Sequence, residues 1–246
     1  MLDAVAVIPV YNHPRTIGAM VDAVREQGLR CVLVDDGSEP GCAAVLQALA
    51  QVHAGAVTLL RLDRNQGKGG AMMAGLREAL RQGYTHALQI DADGQHDTAD
   101  IPRLLALAGQ RPLAVITGVP LYDDSVPRGR LAARYITHVW VWINTLSTRI
   151  RDSMCGFRVY PLEAVVDLIE HTSMGRRMDF DCEVLVRLHW RGVEIVGHPT
   201  RVRYPQDGVS HFRLGLDNVL ISRMHALLFV GMLWRAPMLL WRKVAR

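Results

Sequence analysis

His86-Ala87-Leu88-Gln89-Ile90-Asp91-Ala92-Asp93-Gly94-Gln95-His96 is the stretch on which the reading of this chain turns. A compact β-type run over residues 86–90 ends directly in two carboxylates one residue apart. Alternate residues of an extended chain point the same way, so Asp91 and Asp93 share one side of a strand end. Carboxylates so placed are oxygen ligands for a hard divalent cation whose shell a bound phosphate can complete. An acidic turn has the same composition, because turns favour Asp and Gly. The surrounding sequence separates the two readings.

Upstream, residues 4–10, 31–34 and 57–62 are also short β-type runs. Between them, Ile17, Met20, Val21 and Val24 recur at helical spacing, and residues 42–52 form a second helical segment. Asn65-Gln66-Gly67-Lys68-Gly69-Gly70 opens a third helix that runs to about residue 82, and residues 113–118 read as a fifth strand. Strands alternating with helices predict an α/β fold with a mostly parallel sheet covered on both faces. Ligands of such sheets bind beyond the carboxyl ends of the strands. Tyr11-Asn12, Asp35-Asp36, Arg64-Asn65 and Asp91-Asp93 each follow a strand, so all four clusters gather along one edge. That convergence favours a site over four unrelated turns.

The second half is less regular. Residues 131–148 and 181–191 read as helices, 151–161 as a loop before a short helix, and 194–196 and 201–204 as strand-like pieces. The chain has 246 residues, 50% hydrophobic and 21% charged, enough for a large core and unlike a disordered chain or a charged coiled coil. Its formal charge of +4 is too small to argue for nucleic acid, and no nucleic-acid partner is expected. By region the charge says more. From Arg213 to the end there are six cations and one anion, Asp217, whereas the preceding residues carry 22 cations against 23 anions. The excess is all in the tail. Cys31, Cys42, Cys155 and Cys182 lack C-x-x-C spacing and read as reduced, packed thiols rather than a zinc site. Asp3 leads straight into a β-type run with no basic segment and apolar stretch before it, so no signal peptide is expected. No eighteen-residue uncharged apolar run supports a simple spanning helix.

Asp35 and Asp36 precede Gly37-Ser38 at a strand end, where carboxylates accept hydrogen bonds from ribose hydroxyls or a base N–H, or simply cap a turn. The Asn65–Gly70 loop lacks the G-x-x-x-x-G-K-[ST] spacing of a P-loop, and G-x-G-x-x-G is absent, which disfavours a dinucleotide site. Taken together, Ile8-Pro9-Val10-Tyr11-Asn12, Asp35-Asp36-Gly37-Ser38, Asn65-Gln66-Gly67-Lys68-Gly69 and Asp91-Ala92-Asp93-Gly94-Gln95-His96 resemble glycosyltransferase family 2 over about residues 4–205. The nearest resemblance is to its lipid-directed branch, similar to dolichol-phosphate and polyprenyl-phosphate mannose synthases.

The resemblance implies a GT-A fold, a nucleotide-diphosphate sugar donor, a Mg²⁺ or Mn²⁺ ion, and single displacement with inversion. It places Pro9, Tyr11, Asp35 and Asp36 at the nucleoside and Lys68 near the nucleotide. Asp91, Asp93 and Gln95 fall at the metal and diphosphate, with Asp93 catalytic through the ion. A metal there would neutralise charge developing on the leaving phosphate. Cys155-Gly156-Phe157-Arg158-Val159-Tyr160 resembles a segment of the polyprenyl-phosphate sugar synthases, which makes Arg158 a phosphate candidate. Asp181 in Asp179-Phe180-Asp181-Cys182-Glu183 matches the catalytic-base aspartate of hydroxyl-directed members, although Phe180 replaces a Glu. An alcohol acceptor needs a base and an ionised phosphate does not, so Asp181 leans toward an alcohol. A helix N-terminal Asp favoured by the dipole would look the same.

The Q-x-x-R-W segment of processive polymerases is missing. Where the mannose synthases carry a second arginine segment, Gly118-Val119-Pro120 stands here, and Arg128, Arg130 and Arg134 follow as substitutes, Arg130 foremost. Ser210, His211 and Arg213 are further donor-phosphate candidates. Apolar residues then recur at helical spacing from Val219 to Met232, with Trp234 and Trp241 near the end. Such a tail reads as a helix lying in a membrane interface, or else as a core-packing or dimerising helix. The expected organisation is a transferase domain over residues 1–212 and a basic amphipathic tail over 213–246, peripheral to the cytoplasmic face of a membrane. The expected reaction moves one sugar to a lipid-linked or amphipathic acceptor; a nucleotide-sugar-binding scaffold without turnover is the alternative.

Overall fold

The computed structural model describes residues 2–121, 128–202 and 211–244, without the side chains of residues 128–130, 132 and 133. The first half follows the alternation of the sequence: β1 (Ala4–Val10), α1 (Ile17–Glu26), β2 (Arg30–Asp35), α2 (Pro40–Val52), β3 (Val57–Arg61), α3 (Lys68–Arg81) and β4 (His86–Gln89). Then come α4 (Ile101–Gln110), β5 (Val115–Leu121), α5 (Arg128–Thr145), β6 (Arg158–Pro161), α6 (Leu162–His171), α7 (Phe180–Trp190), β7 (Ile195–Arg201) and α8 (Leu214–Val244).

The strands form one seven-stranded sheet in the order β3-β2-β1-β4-β6-β5-β7. All neighbours are parallel except β6, which runs antiparallel to both β4 and β5. Strand alternation divides the core. Val5 and Val7 of β1 face a cluster with α3, α6, α7 and α8, while Ala6, Ile8 and Val10 face α1, α2 and α4. With both faces covered, the inner strands read as continuous apolar runs. From β1 the chain passes outward to β2 and β3, then returns to the other side of β1 as β4. The crevice at the carboxyl ends of β1 and β4 is therefore the topological switch point, the place where such sheets bind ligands.

Two departures from the sequence reading have physical reasons. Residues 158–161, expected in a loop, are β6; all four are buried, and the charge of Arg158 is satisfied inside the fold. The first strand-like piece lies in β7, which runs on from Ile195 to Arg201 and tolerates Pro199 because it lies at the sheet edge, while residues 203 and 204 of the second lie outside the described residues. The tail helix runs for 31 residues, with Arg235 and Pro237 inside it. The carbonyl that Pro237 leaves without its helical partner belongs to Leu233, on an exposed turn. By length and composition alone α8 is long and apolar enough to cross a membrane. One face of it, Met224, Leu228, Met232 and Leu239, joins the core beside α5 and α7. Arg235 lies over the Trp190 ring, 4.7 Å from its centroid, and Arg242 donates to the Trp190 carbonyl at 2.9 Å. Two tail cations thus turn inward. The four cysteines are buried and unpaired.

Candidate active site

The loops that leave β1, β2 and β3 are stitched together by carboxylates and backbone N–H groups. Asn12, in the left-handed region at φ 55°, donates its N–H to Ser38 Oγ at 3.1 Å and accepts from the Glu39 N–H at 2.9 Å. Asp35 accepts from the Ser38 N–H at 2.8 Å and pairs with Arg61 at 2.9 Å. Asp36 accepts from the N–H groups of Gln66 (2.6 Å) and Gly67 (2.9 Å). Burial pushes the Asp36 carboxyl up to about 6, although both N–H bonds oppose the shift. Gly67 sits at φ +85°, and a Cβ there would lie 2.5 Å from the Arg176 carbonyl oxygen. Only glycine fits this turn. Both aspartates stand at the end of β2, each buried and engaged in holding the loops.

Lys68 opens α3 and reaches the end of β4. Its Nζ lies 2.8 Å from Asp91 Oδ1, 2.9 Å from Asp91 Oδ2 and 2.9 Å from Asp181 Oδ2. Burial would lower the lysine's pKa, but Asp181 and Asp91 outweigh it and hold Lys68 above its ordinary value. Burial likewise works against the charge on Asp91, yet Lys68 and His96 keep that carboxyl well below the usual range. Asp93 goes the other way, raised by burial and by the neighbouring Asp91 charge. Its Oδ1 accepts from the Gln95 N–H at 3.0 Å.

Beneath these groups lies a buried polar network. Asp181 Oδ1 accepts from Gln89 Nε2 at 2.8 Å, and Gln89 Oε1 accepts from the Tyr160 hydroxyl at 3.0 Å. Arg158 donates to the Asp181 carbonyl (2.7 Å), the Ser153 carbonyl (2.7 Å), Tyr160 Oη (3.2 Å) and Thr117 Oγ1 (3.2 Å). Fully buried, Arg158 spends its donors inside the protein. The structure thus places it under the site as an internal tie, away from the donor-phosphate position expected from sequence. Gly156 packs on Asp91; a Cβ there would meet its Oδ2 at 2.5 Å. His96 stacks on Phe157, ring centroids 5.2 Å apart, with Nε2 3.9 Å from Asp91 Oδ2.

Lys68, Asp91 and Asp181 are therefore brought into direct contact, with Asp93 and Gln95 on the adjoining turn. Pro9 and Tyr11 are half-buried at the end of β1. Arg213 leads into α8 with its side chain exposed and its N–H donating to Asp217 Oδ2 at 2.7 Å. Ser210 and the side chain of Arg130 lie outside the described residues. Gln89, Tyr160, Arg61 and His13 were not singled out from sequence. The one signal for them was Gln89, an amide inside an apolar run, which implies a buried partner.

The residues fit a divalent ion in part. Asp93 is a strained anion beside Asp91, and a cation would relieve the repulsion. Among the described residues no group of three or more His, Cys, Asp or Glu side chains could hold a metal by itself. This donor set suits an ion whose shell is completed by a diphosphate and water.

The Glycosyl transferase family 2 model matches residues 5–182. The chain belongs to glycosyltransferase family 2. It is a glycosyltransferase, and its similarity runs to the family's lipid-directed branch. The undecaprenyl-phosphate mannosyltransferase of Micrococcus luteus is 30% identical over 204 residues, covering 77% of this chain and 80% of that protein. The polyprenol monophosphomannose synthase of Mycolicibacterium smegmatis is 29% identical over 227 residues, covering 83% and 78%. Among solved structures, glucosyl-3-phosphoglycerate synthase from Mycobacterium tuberculosis, in complex with Mn²⁺, UDP-glucose and phosphoglyceric acid, superposes with a TM-score of 0.66 at 14% identity. That superposition covers 94% of this chain and 78% of the other, and it establishes the family 2 chain as a GT-A fold.

Proposed function

We propose that this glycosyltransferase moves one sugar from a nucleotide-diphosphate sugar to the phosphate of a polyprenyl-type lipid, in a metal-dependent single displacement with inversion. The carrying observation is the engagement of Asp181. One of its oxygens accepts from Gln89 and the other is paired with Lys68, so neither is free to take a proton from an acceptor hydroxyl. A phosphate acceptor is already ionised and needs no base. Relatives named for undecaprenyl-phosphate and polyprenol substrates support the same choice.

In this reading Pro9 and Tyr11 border the nucleoside, while Asp35 and Asp36 fix the loops that shape its pocket. Asp93, with Gln95, holds a divalent ion that, when bound, offsets the charge developing on the leaving diphosphate. Lys68 orients Asp91, and Asp181 orients Lys68. The acceptor phosphate oxygen forms the new glycosidic bond on one face of the sugar as the bond to the diphosphate breaks on the other. Residues 1–212 form the transferase domain, and the tail, with α5, lies on the cytoplasmic surface of a membrane where the lipid is presented. Its support is the outward row of Leu227, Val230, Leu233, Trp234 and Trp241, an exposed apolar surface of the kind that enters an interface.

A panel of nucleotide sugars tested with Mn²⁺, on vesicles containing either a polyprenyl phosphate or the corresponding polyprenol, checks this. Transfer to the phosphate alone is expected, and Asp93→Ala should lower it by about 10²–10³. Equal transfer to the polyprenol would instead assign Asp181 as a base, and full activity of Asp93→Ala would remove the metal role.

A further inference from the structure

Asp181 ends a chain of buried hydrogen bonds whose direction is fixed from the far end. Arg158 has only donors, and its Nη1 gives one to the Tyr160 oxygen at 3.2 Å. That leaves the hydroxyl proton for Gln89 Oε1, 3.0 Å away. Burial holds the Tyr160 phenol above its ordinary value, so the proton stays in place. With its oxygen facing Tyr160, the Gln89 amide turns its NH₂ to Asp181 Oδ1 at 2.8 Å. The flipped amide would set oxygen against oxygen at Asp181 and strand the tyrosine proton.

Lys68 Nζ meets the other oxygen of the same carboxylate, Oδ2, at 2.9 Å. Every side-chain bond therefore runs toward Asp181, which accepts at both oxygens and cannot turn without forfeiting a charge-assisted bond. Gln89, Tyr160 and Arg158 are each 0% exposed, so no solvent replaces a missing donor.

The consequence falls on Lys68. A flexible four-carbon stem does not place an ammonium by itself. Here the ammonium lies between two carboxylates, and the fixed one, Asp181, decides where it meets Asp91. Gln89 is the last residue of β4, two before Asp91, so one strand end supplies both the amide beneath the site and the carboxylate within it. An apolar side chain could fill the same space; the amide adds direction.

We infer that Gln89 and Tyr160 are positioning residues for sugar transfer, acting through Asp181 to set the Lys68 ammonium against Asp91. The inference rests on the reading of Lys68 and Asp91 given above and deepens it by adding two residues that touch no substrate.

The test has a kinetic arm and a substrate-free arm. Transfer is followed with UDP-glucose or GDP-mannose and Mn²⁺, on vesicles containing undecaprenyl phosphate. Gln89→Met removes the donor at similar volume, and kcat/KM should fall about tenfold or more. Tyr160→Phe keeps the ring but frees the amide to flip, and should cost about three- to tenfold; it also serves if Gln89→Met folds poorly. Asp181→Asn should lose about a hundredfold, because a second NH₂ then faces Gln89 or Lys68. Adding Gln89→Glu to it restores one acceptor for that NH₂ and for the Tyr160 hydroxyl, and should recover about tenfold.

The second arm uses the chain's two lysines, Lys68 and the exposed Lys243. Selective ¹⁵N-lysine labelling gives one ammonium signal sheltered from water exchange and one internal control. The sheltered signal should be lost to exchange in Gln89→Met and return in the Gln89→Glu, Asp181→Asn double variant. Parent-like rates in both Gln89→Met and Tyr160→Phe would overturn the inference. So would a double variant no better than Asp181→Asn alone, or a Lys68 signal unmoved by Gln89→Met. Parent protein that transfers neither sugar would overturn the donor reading instead, and the Lys68 signal would still decide the inference.

Discussion

The carboxyl edge of the sheet and the α5/α8 pair depart from ordinary protein surfaces in opposite ways. At the edge, charged groups are buried: Lys68, Asp91, Asp181 and Arg158 share one network, and Asp35 and Asp36 are closed in by the loops they hold. On the helix pair, large apolar groups are exposed: Tyr135, Ile136 and Trp140 of α5, and Leu227, Val230, Leu233, Trp234 and Trp241 of α8. Buried charge and exposed hydrophobic patches both cost stability and are the informative exceptions to burial rules. The first is suited to a charged ligand and the second to an apolar phase. A transferase that joins a water-soluble donor to a lipid needs both within one domain.

Breaking the buried-charge side should have the largest effect. Lys68→Met removes the ammonium shared by Asp91 and Asp181 and leaves two carboxylates unpaired in the interior. A loss of about 3–5 kcal/mol in unfolding free energy is expected from denaturant titration. Lys68→Met with Asp181→Leu should recover part of that, because it removes one of the stranded charges. Failure to recover would mean that Asp91, not the pair, dominates the cost.

The same contrast explains what could be read from the sequence. The four loop clusters were legible because each follows a strand defined by its own local apolar run, and the sheet carries them to one edge whatever the details. The contact of Lys68 with Asp91 was not among those expectations; it follows from the start of α3 lying against the end of β4. The partners of Asp181 were not legible. Gln89 and Tyr160 come from β4 and β6, and β6 was hidden because Arg158 looks like a loop residue until its four acceptors are known. The ring contact of His13 with His211 is of the same kind, invisible to any local period. In the tail, Arg235 and Pro237 interrupt the apolar run without ending the helix. Cover from Trp190 and burial of Leu239 carry α8 past them.

Between the two regions lies a middle case, where α8 docks on α5. His225 is buried there, its Nδ1 accepting from Asn144 Nδ2 at 3.3 Å and its ring stacked with Trp140 at 6.1 Å. Burial lowers its pKa to about 4 from an ordinary 6.5, so the ring is neutral in the fold. A histidine depressed in this way contributes stability that is present above the unfolded value and lost as pH falls toward the folded one. Acidifying from pH 7 to pH 5 should therefore cost about 2 kcal/mol from this residue. His225→Phe should flatten that part of the profile in thermal unfolding measured across the same range. An unchanged slope would show that water reaches the ring and that the α5/α8 seam is not sealed.

The exposed apolar side should respond least in stability and most in location. Trp234 is 88% exposed and Trp241 69%, so neither contributes much packing to the fold. Trp234→Ala and Trp241→Ala should each stay within about 0.5 kcal/mol of the parent in unfolding free energy. If α8 lies in an interface, both variants should lose partition onto vesicles of zwitterionic lipid, because tryptophan side chains favour the headgroup boundary. Flotation of the double variant, set beside Lys68→Met, would then separate the two regions: one substitution destabilises the fold without a membrane effect, and the other releases the membrane without destabilising the fold. Vesicle binding unchanged in the double variant, in a protein that self-associates through the same face, would make the apolar patch a dimer contact, and the lipid would then reach the site by another route.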